Sequence, residues 1–215
     1  MKVLLLSRYE SLGASSRVRF FQYLPYLEAH GVRVTVAPML TDGYLSSFYA
    51  RRWMPVAEIA RSYLRRLVTL FRAGSYDLLW LEKELFPFLP AWGESLFDIL
   101  GVPCVVDYDD ATFHGYDHYA GRVVRTLMGN KIDLVMRRAA LVVVGNDYLA
   151  ERAHRAGARR VAYLPSVVDE NRYRPAASRG DNPFTVGWIG SPTTASYLKT
   201  VETALAEVCG DGKGR

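Results

Sequence analysis

Short apolar segments alternate with longer amphipathic ones along residues 1–165. Each short segment is rich in Val, Leu and Ile and apolar on both faces, which is typical of buried parallel strands. We predict strands over Lys2–Leu6, Val32–Ala37, Leu78–Leu81, Pro103–Asp107, Ala140–Val144 and Val161–Leu164. Strands that alternate with helices predict an α/β fold with a doubly wound parallel sheet, which is Rossmann-like.

The segments between the strands have helical spacing. We predict helices over Ser16–His30, Pro55–Arg72, Phe86–Leu100, Ala120–Arg138 and Asp147–Ala156. Four glycines come just after helices, where a left-handed residue is favoured: Gly31, Gly74, Gly101 and Gly157. Because such sheets bind ligands beyond the carboxyl ends of their strands, the loops after the strands are the places to search for a site.

A second pattern begins after residue 165. A linker over 166–183 precedes an apolar strand-like segment from Phe184, a turn at Gly190 and a helix. One βα unit cannot bury a core alone. We therefore expect a complete domain over 1–165 and the incomplete start of a second Rossmann-like domain over 184–215, in a truncated chain. Self-association is expected from exposed apolar residues, namely Trp188, Ile189 and Leu198.

Composition indicates a cytoplasmic globular protein. Half of the residues are apolar, and Cys104 and Cys209 are the only cysteines. Cys104 lies in an apolar segment, where a buried, inert thiol is expected. The apolar run after Met1 is too short for a signal peptide, which needs ~7–15 residues, and no stretch approaches the ~18 residues of a membrane span.

The positive charge is concentrated in one segment. Between Tyr44 and Ala73 there are six arginines and a single acid, Glu58, and the net charge of the chain is +5: the arginines are Arg51, Arg52, Arg61, Arg65, Arg66 and Arg72. Apolar residues at helical spacing predict an amphipathic helix with arginines largely on the other side. Two interpretations remain open: a surface helix with solvated arginines, or peripheral contact with an anionic membrane surface. No motif for nucleic acid is present.

The loop after the first strand leads into a helix. Its residues Gly13, Ser15, Ser16 and Arg17 could present backbone amides to an anion or a sugar hydroxyl. The alternative is that Ser15 or Ser16 caps the helix.

The loop after the fourth strand contains four carboxylates and two imidazoles, at Asp107, Asp109, Asp110, Asp117, His114 and His118. Carboxylates this close are costly unless they are solvated, paired or used. They could hold sugar hydroxyls, accept a proton from an attacking hydroxyl or bind a divalent ion. Exposed acids at a helix start are the alternative, and for the cluster as a whole we favour a site.

Two further turns precede helices. Asn146 or Asp147 is expected to cap the helix after the fifth strand, with ligand contact as the alternative. In the second unit, Gly190 permits close backbone approach, and the amides around Ser191 and Thr193 could hold a phosphate.

Four pieces in order resemble glycosyltransferase family 4, which has the GT-B fold. They are the opening helix Ala14–Gly31, the acidic loop Asp107–Ala111, the linker Pro165–Pro175 and the turn Gly187–Ser191. In the linker, Ser166 and Val167 replace the Asn and Gly of the family pattern.

The resemblance implies transfer of a sugar from a nucleotide-sugar donor to a glycan or lipid-linked acceptor, with retention of configuration and without a cofactor or bound metal. The catalytic candidates are Asp109, Asp110 and His114. Donor binding is assigned to Gly13, Gly190, Ser191 and Thr193, and acceptor binding to Ser15, Ser16, Arg17, Asp107 and Asn146.

Two alternatives to this interpretation remain open. The first is a GT-A transferase in which Asp107 and Asp109 bind a metal. The second is a truncated, non-catalytic protein that binds a glycan, a nucleotide or a partner. We expect the 215 residues alone to have negligible transferase activity, because half of the cleft would be absent.

Overall fold

Six parallel strands form one sheet in the computed structural model of the chain, which describes residues 1–50, 56–95, 99, 101–175, 185–190 and 194–210. The strands are β1 (Lys2–Leu6), β2 (Arg33–Val36), β3 (Leu78–Glu82), β4 (Cys104–Tyr108), β5 (Leu141–Val144) and β6 (Val161–Tyr163). Their order is β2-β1-β3-β4-β5-β6, and every neighbouring pair is parallel. The predicted α/β fold and all six predicted strands are confirmed.

The strand order reverses between β1 and β3. The chain passes from β1 to β2 on one side and then returns to β3 on the other side of β1. In open α/β sheets, ligands bind at such a switch point. The central strands are buried on both faces, as Leu4, Leu5 and Leu79 show, so the strand ends there are fixed by the core.

Nine helices are described: α1 (Ala14–Arg19), α2 (Leu24–Ala29), α3 (Asp42–Tyr49), α4 (Val56–Leu70), α5 (His114–Asp117), α6 (Arg122–Met128), α7 (Lys131–Arg138), α8 (Asp147–Arg155) and α9 (Glu202–Gly210). Short 3-10 segments cover Phe21–Tyr23, Ala73–Ser75 and Ala195–Val201. Gly31, Gly101 and Gly157 have positive φ, as predicted for residues that follow helices, whereas Gly74 lies within a 3-10 turn.

Two of the predicted helices are broken. Ser16–His30 divides into α1 and α2 because Pro25 has no N–H for the helical ladder and its ring clashes with the preceding turn. Ala120–Arg138 divides into α6 and α7 at Gly129, a residue of low helix propensity.

The prediction of a helix over Phe86–Leu100 is wrong for residues 86–94, which form turns. Pro87 and Pro90 cannot donate to a helical ladder, and the Glu94 carboxylate accepts a hydrogen bond from the N–H of Leu85. Residues 96–98 and 100 lie outside the described residues.

Arg66 is an exception to the prediction that the arginines of this segment lie largely on the side away from the apolar residues. This side chain is buried, and its Nη2 donates to the carbonyl of Ser7, just beyond β1. The helix therefore packs a cation, together with Leu70, against the sheet. Arg51 and Arg52 lie outside the described residues.

No strand forms at residues 185–190, which are irregular and exposed. An isolated strand leaves its backbone N–H and C=O groups without a ladder partner, which explains why the predicted strand is absent. Trp188 and Ile189 are exposed, as expected, while Leu198 is half-buried.

Candidate functional site

Glu82 organises the switch point between β1 and β3. It is the last residue of β3 and is buried. Its Oε2 accepts hydrogen bonds from the backbone N–H of Arg8, at 2.7 Å, and from Oγ of Ser16, at 2.6 Å. Ser16 Oγ also accepts from the N–H of Tyr9, at 3.2 Å. Ser16 is buried and connects Glu82 to the loop after β1 through these hydrogen bonds.

Lys83 follows Glu82 and joins two of the predicted site residues. Its Nζ lies 2.9 Å from Oδ1 of Asp109 and 2.8 Å from Oδ2 of Asp110. Ser15 donates a hydrogen bond to the other oxygen of Asp109. Lys83 has a φ of 65°, a left-handed conformation that is costly for a residue with a side chain and that concentrates at functional sites.

Asp109 and Lys83 each favour the charged form of the other. Burial by itself would raise the pKa of Asp109, but the charge of Lys83 and the hydrogen bonds from Ser15 and Lys83 outweigh it and lower that pKa. Burial acts to lower the pKa of Lys83, and the two carboxylates outweigh it, so that the pKa is raised. The cluster can therefore hold a hydroxyl group through an ionised carboxylate.

A cleft of about 330 Å³ opens beside this cluster. Cationic, acidic and hydroxyl groups come from the loops after β1, β3 and β4, and aromatic side chains come from α3. The lining residues are Arg8, Tyr9, Gly13, Ala14, Ser15, Tyr44, Leu45, Phe48, Tyr49, Lys83 and Asp110. Aromatic faces beside hydrogen-bonding groups suit a polyhydroxylated ligand.

Gly13 occupies a position with no room for a side chain. A Cβ built on this glycine would lie 2.4 Å from Cβ of Tyr9. Its φ of −69° is ordinary, so space rather than backbone conformation requires glycine here. The tight turn brings Ala14 and Ser15 to the wall of the cleft.

A buried ionic network supports Arg8 in the cleft wall. Arg8 Nη1 lies 3.4 Å from Oε1 of Glu84, whose Oε2 accepts from Tyr116 at 2.7 Å and from Lys131 at 2.6 Å. These residues, and also Glu82 and Lys83, were missed from the sequence. The available signal was the charged run at 82–84 directly after an apolar strand.

Asp107 lies beneath the cleft rather than in its wall. Both of its oxygens accept hydrogen bonds from Arg19, at 2.8 and 3.1 Å, and both side chains are buried. Burial, only partly offset by Arg19, raises the pKa of Asp107 to about 6. Arg19 also donates to the carbonyl of Leu164, at 2.6 Å, and so joins α1, β4 and the chain after β6.

The other predicted site residues lie outside the cleft wall. Asn146 caps α8 by accepting from the N–H of Leu149, at 2.9 Å. His114 Nε2 lies 2.7 Å from the hydroxyl of Tyr148. Arg17 donates to the carbonyl of Ser11, at 2.8 Å, and lines a second cavity with residues of the linker.

In the second unit, Gly190 lies in the exposed segment 185–190. Ser191 and Thr193 lie outside the described residues. The structure therefore brings Gly13, Ser15, Asp109 and Asp110 together around Lys83, and the other described candidates lie outside the cleft wall. Direct ligand binding by any of these residues stays a prediction.

A parallel sheet with a ligand-sized cleft at its switch point defines the class of Rossmann-like α/β proteins. A sequence profile of the family described as "Glycosyl transferase 4-like domain" matches residues 4–166. Because the match covers most of the chain, the protein belongs to this glycosyltransferase family, as the sequence resemblance predicted. No curated protein matches the sequence.

A solved glycosyltransferase structure shares the fold. A UDP-glucose: anthocyanidin 3-O-glucosyltransferase in complex with UDP aligns with a TM-score of 0.51 and 10% identity, over 100% of this chain and 71% of that chain. Arabidopsis thaliana UGT89C1 complexed with UDP-L-rhamnose gives a TM-score of 0.46 and 11% identity, over 94% of this chain and 62% of that chain. The chain thus spans less than two thirds of the second protein.

Proposed function

We propose that this chain contributes the acceptor side of a glycosyltransferase. The enzyme would transfer a sugar from a nucleotide-sugar donor to a glycan or lipid-linked acceptor, with retention of configuration. The observation that carries the proposal is the cleft at the switch point, where Asp110, Lys83 and Ser15 meet an aromatic wall. Membership of the transferase family supplies the reaction class.

In the proposed reaction, an acceptor hydroxyl oxygen bonds to the anomeric carbon of the donor sugar on the same face from which the diphosphate leaves, which retains configuration. The bond from that carbon to the phosphate oxygen breaks, and the nucleoside diphosphate leaves with the electron pair. We assign the hydroxyl to Asp110, whose side chain is largely exposed at the cleft and pairs with Lys83. A carboxylate in this position can orient the hydroxyl and take its proton.

The remaining residues have supporting roles in the proposal. Asp109 and Ser15 would hold another hydroxyl, and Gly13 would lie near the donor diphosphate with Gly190, Ser191 and Thr193. His114 remains a further catalytic candidate. Asp107, Ser16, Arg17 and Asn146 would act on the acceptor indirectly, because each is engaged with protein groups.

The geometry favours this proposal over a metal-dependent GT-A mechanism. The carboxylates of Asp107 and Asp109 would both have to face one divalent ion. Instead, Arg19 binds both oxygens of Asp107, and Lys83 and Ser15 bind the two oxygens of Asp109. Both side chains therefore already have hydrogen-bonding partners from the protein on each of their oxygens.

The test compares the chain alone with the chain joined to a donor-binding domain of the same family. Each protein is incubated with a panel of nucleotide sugars and with glycan and lipid-linked acceptors, and products are identified by mass spectrometry. We expect transfer from the joined protein and negligible transfer from the 215 residues. A folded joined protein that binds acceptor without turnover would support the non-catalytic alternative.

The substitution that tests the site is Asp110→Asn in the joined protein. We expect transfer to fall by roughly 10²–10⁴-fold, as for loss of a positioned general base. Glu151→Gln removes an exposed acid from α8 and serves as the matched control, with transfer unchanged. Equal activity of Asp110→Asn and the control would remove Asp110 from the mechanism.

A further inference from the structure

Helix α4 directs a row of apolar side chains toward solvent. Leu64, Val68 and Phe71 are 61%, 50% and 80% exposed. They occupy positions i, i+4 and i+7, which share one face, with Phe71 directly after the last helical residue. The buried side of α4 instead carries Arg66 and Leu70. Surface helices normally present polar side chains to water, and packing among the residues that the structure describes does not explain the row.

A row of arginines lies beside the apolar row. Arg61 and Arg65 are exposed, and at ~100° per residue they occupy the neighbouring strip of the helix. Arg72 follows two residues after α4 ends and is also exposed. Arg65 Nη2 also donates to the carbonyl of Met39, at 2.8 Å, which fixes its position. Within α4, Glu58 is the only acid, so cations dominate this side of the surface.

A small cavity adjoins the arginine row. It measures about 200 Å³ and lies between the start of α3 and the side of α4, where it is lined by Thr41, Tyr44, Glu58, Arg61, Ser62 and Arg65. Its two guanidinium groups outnumber the single carboxylate, and hydroxyl groups complete the wall. Guanidinium and hydroxyl donors are the groups that bind phosphate oxygens, so the cavity suits the phosphate of a lipid headgroup.

We propose that this face of α4 binds the surface of an anionic lipid bilayer. Leu64, Val68 and Phe71 enter the boundary between headgroups and acyl chains, and the arginine row contacts lipid phosphates. The sequence indicated that an amphipathic helix would contact the membrane through arginines that include Arg66. In the structure Arg66 is buried, and the proposed contact instead includes the exposed apolar row. The proposal goes beyond sugar transfer and does not depend on it.

The experiment is co-sedimentation of the 215-residue chain with lipid vesicles. We expect binding to phosphatidylcholine vesicles that contain phosphatidylserine, and little binding to pure phosphatidylcholine. Added salt should weaken the binding, because screening shortens the range of the attraction to about 3 Å at 1 M. The double variant Leu64→Ser/Phe71→Ser should bind anionic vesicles roughly tenfold more weakly, since both side chains lose apolar burial.

The arginines are tested separately. Arg61→Gln/Arg72→Gln should lose the preference for phosphatidylserine, and Val68→Ser provides a milder variant of the apolar row. The matched control is Val123→Ser/Leu127→Ser on α6, where the two residues are 70% and 66% exposed and also lie four positions apart. Its vesicle binding should equal that of the original chain.

Three results would overturn the proposal. One is an original chain that does not sediment with anionic vesicles. Another is a control variant that loses binding as much as the row variants do. The last is lipid-free self-association that disappears in the Leu64 and Phe71 variant, which would make a second copy the occupant. Because the assay measures lipid binding, none of these results bears on sugar transfer.

Discussion

At the scale of single residues, Lys83 connects backbone strain with the chemistry of the site. Its left-handed backbone places Nζ between Asp109 and Asp110. The cost of that conformation, of order 1–3 kcal/mol, has to be offset by the surrounding contacts. The two carboxylates supply them, and the same contacts keep Asp109 ionised.

Replacing Lys83 by Met should make the free energy of unfolding less dependent on pH in the acidic range. Asp109 has a lower pKa in the folded chain than in the unfolded chain. It therefore stabilises the fold at pH values above its unfolded pKa, and this stabilisation is lost as the pH falls through its folded pKa. Without Lys83 that contribution shrinks, so the destabilisation should be larger near pH ~7 than near pH ~3. Urea unfolding at both pH values measures it. Lys83→Arg keeps the charge and should retain most of the pH dependence; equal losses for both variants would contradict the electrostatic explanation.

The Arg19 and Asp107 pair is the second residue-scale test. Removing one partner of a buried ion pair costs ~3–5 kcal/mol, and Arg19→Met should approach that loss. The pKa of Asp107 is already raised to about 6 and should rise further in the variant. Because the carboxyl pKa of Asp107 is raised in the folded chain, stability is lost as the pH increases through that folded pKa. The destabilisation by Arg19→Met should therefore be greater near pH ~8 than near pH ~5.

The matched control for this pair is Arg17→Met in the same helix, whose partner is an exposed carbonyl. A change within ~0.5 kcal/mol is expected there. Denaturant unfolding of both variants decides the point. If Arg19→Met and Arg17→Met lost similar stability, the ion pair between Arg19 and Asp107 would not be the cause of the loss.

At the scale of elements, the strands were predictable and the breaks between helices were not. A strand such as β5 is a short run of Leu and Val that is buried on both faces, and nothing remote is needed to recognise it. The division of α1 from α2 depends on Pro25, which competes with a continuous amphipathic pattern. Helix α3 was missed, although Thr41 caps it through the N–H of Tyr44.

The candidate site was only half predictable for a related reason. The acidic loop after β4 is visible in the sequence because it follows a strand. Its partner Lys83 directly follows β3, and its partner Ser15 lies in the first turn of α1; only the order β2-β1-β3-β4 brings them together. Charge partners that depend on strand order cannot be read from spacing along the chain.

Asn146 provides the element-scale prediction. Its Oδ1 caps α8, so Asn146→Ala should cost ~1 kcal/mol of stability, as loss of a cap does. Asn146→Asp keeps an acceptor oxygen at the helix start and should retain stability. Thermal unfolding of the two variants is the measurement. If Asn146→Ala were as stable as the original chain, the capping hydrogen bond would make no contribution to stability.

At the scale of the whole molecule, the hydrophobic core draws its described members from residues 4–161. The segments 185–190 and 194–210 contribute none of them, although Ile189 is fully exposed and Trp188 nearly half exposed. Exposed apolar patches of this kind mark surfaces that bind another protein surface or self-associate. The family domain, which ends at residue 166, covers the same region as the core.

The resulting prediction concerns association in solution. Because Trp188 and Ile189 lie outside the core, Trp188→Ser/Ile189→Ser should reduce concentration-dependent association while leaving the stability of the sheet within ~0.5 kcal/mol. Sedimentation velocity at increasing protein concentration measures the first effect, and urea unfolding the second.

Leu127→Ser removes a comparably exposed side chain from α6 and should leave association unchanged. A double variant that destabilised the sheet instead would mean that this segment packs on the first domain, and the two-part organisation inferred from the sequence would have to be abandoned.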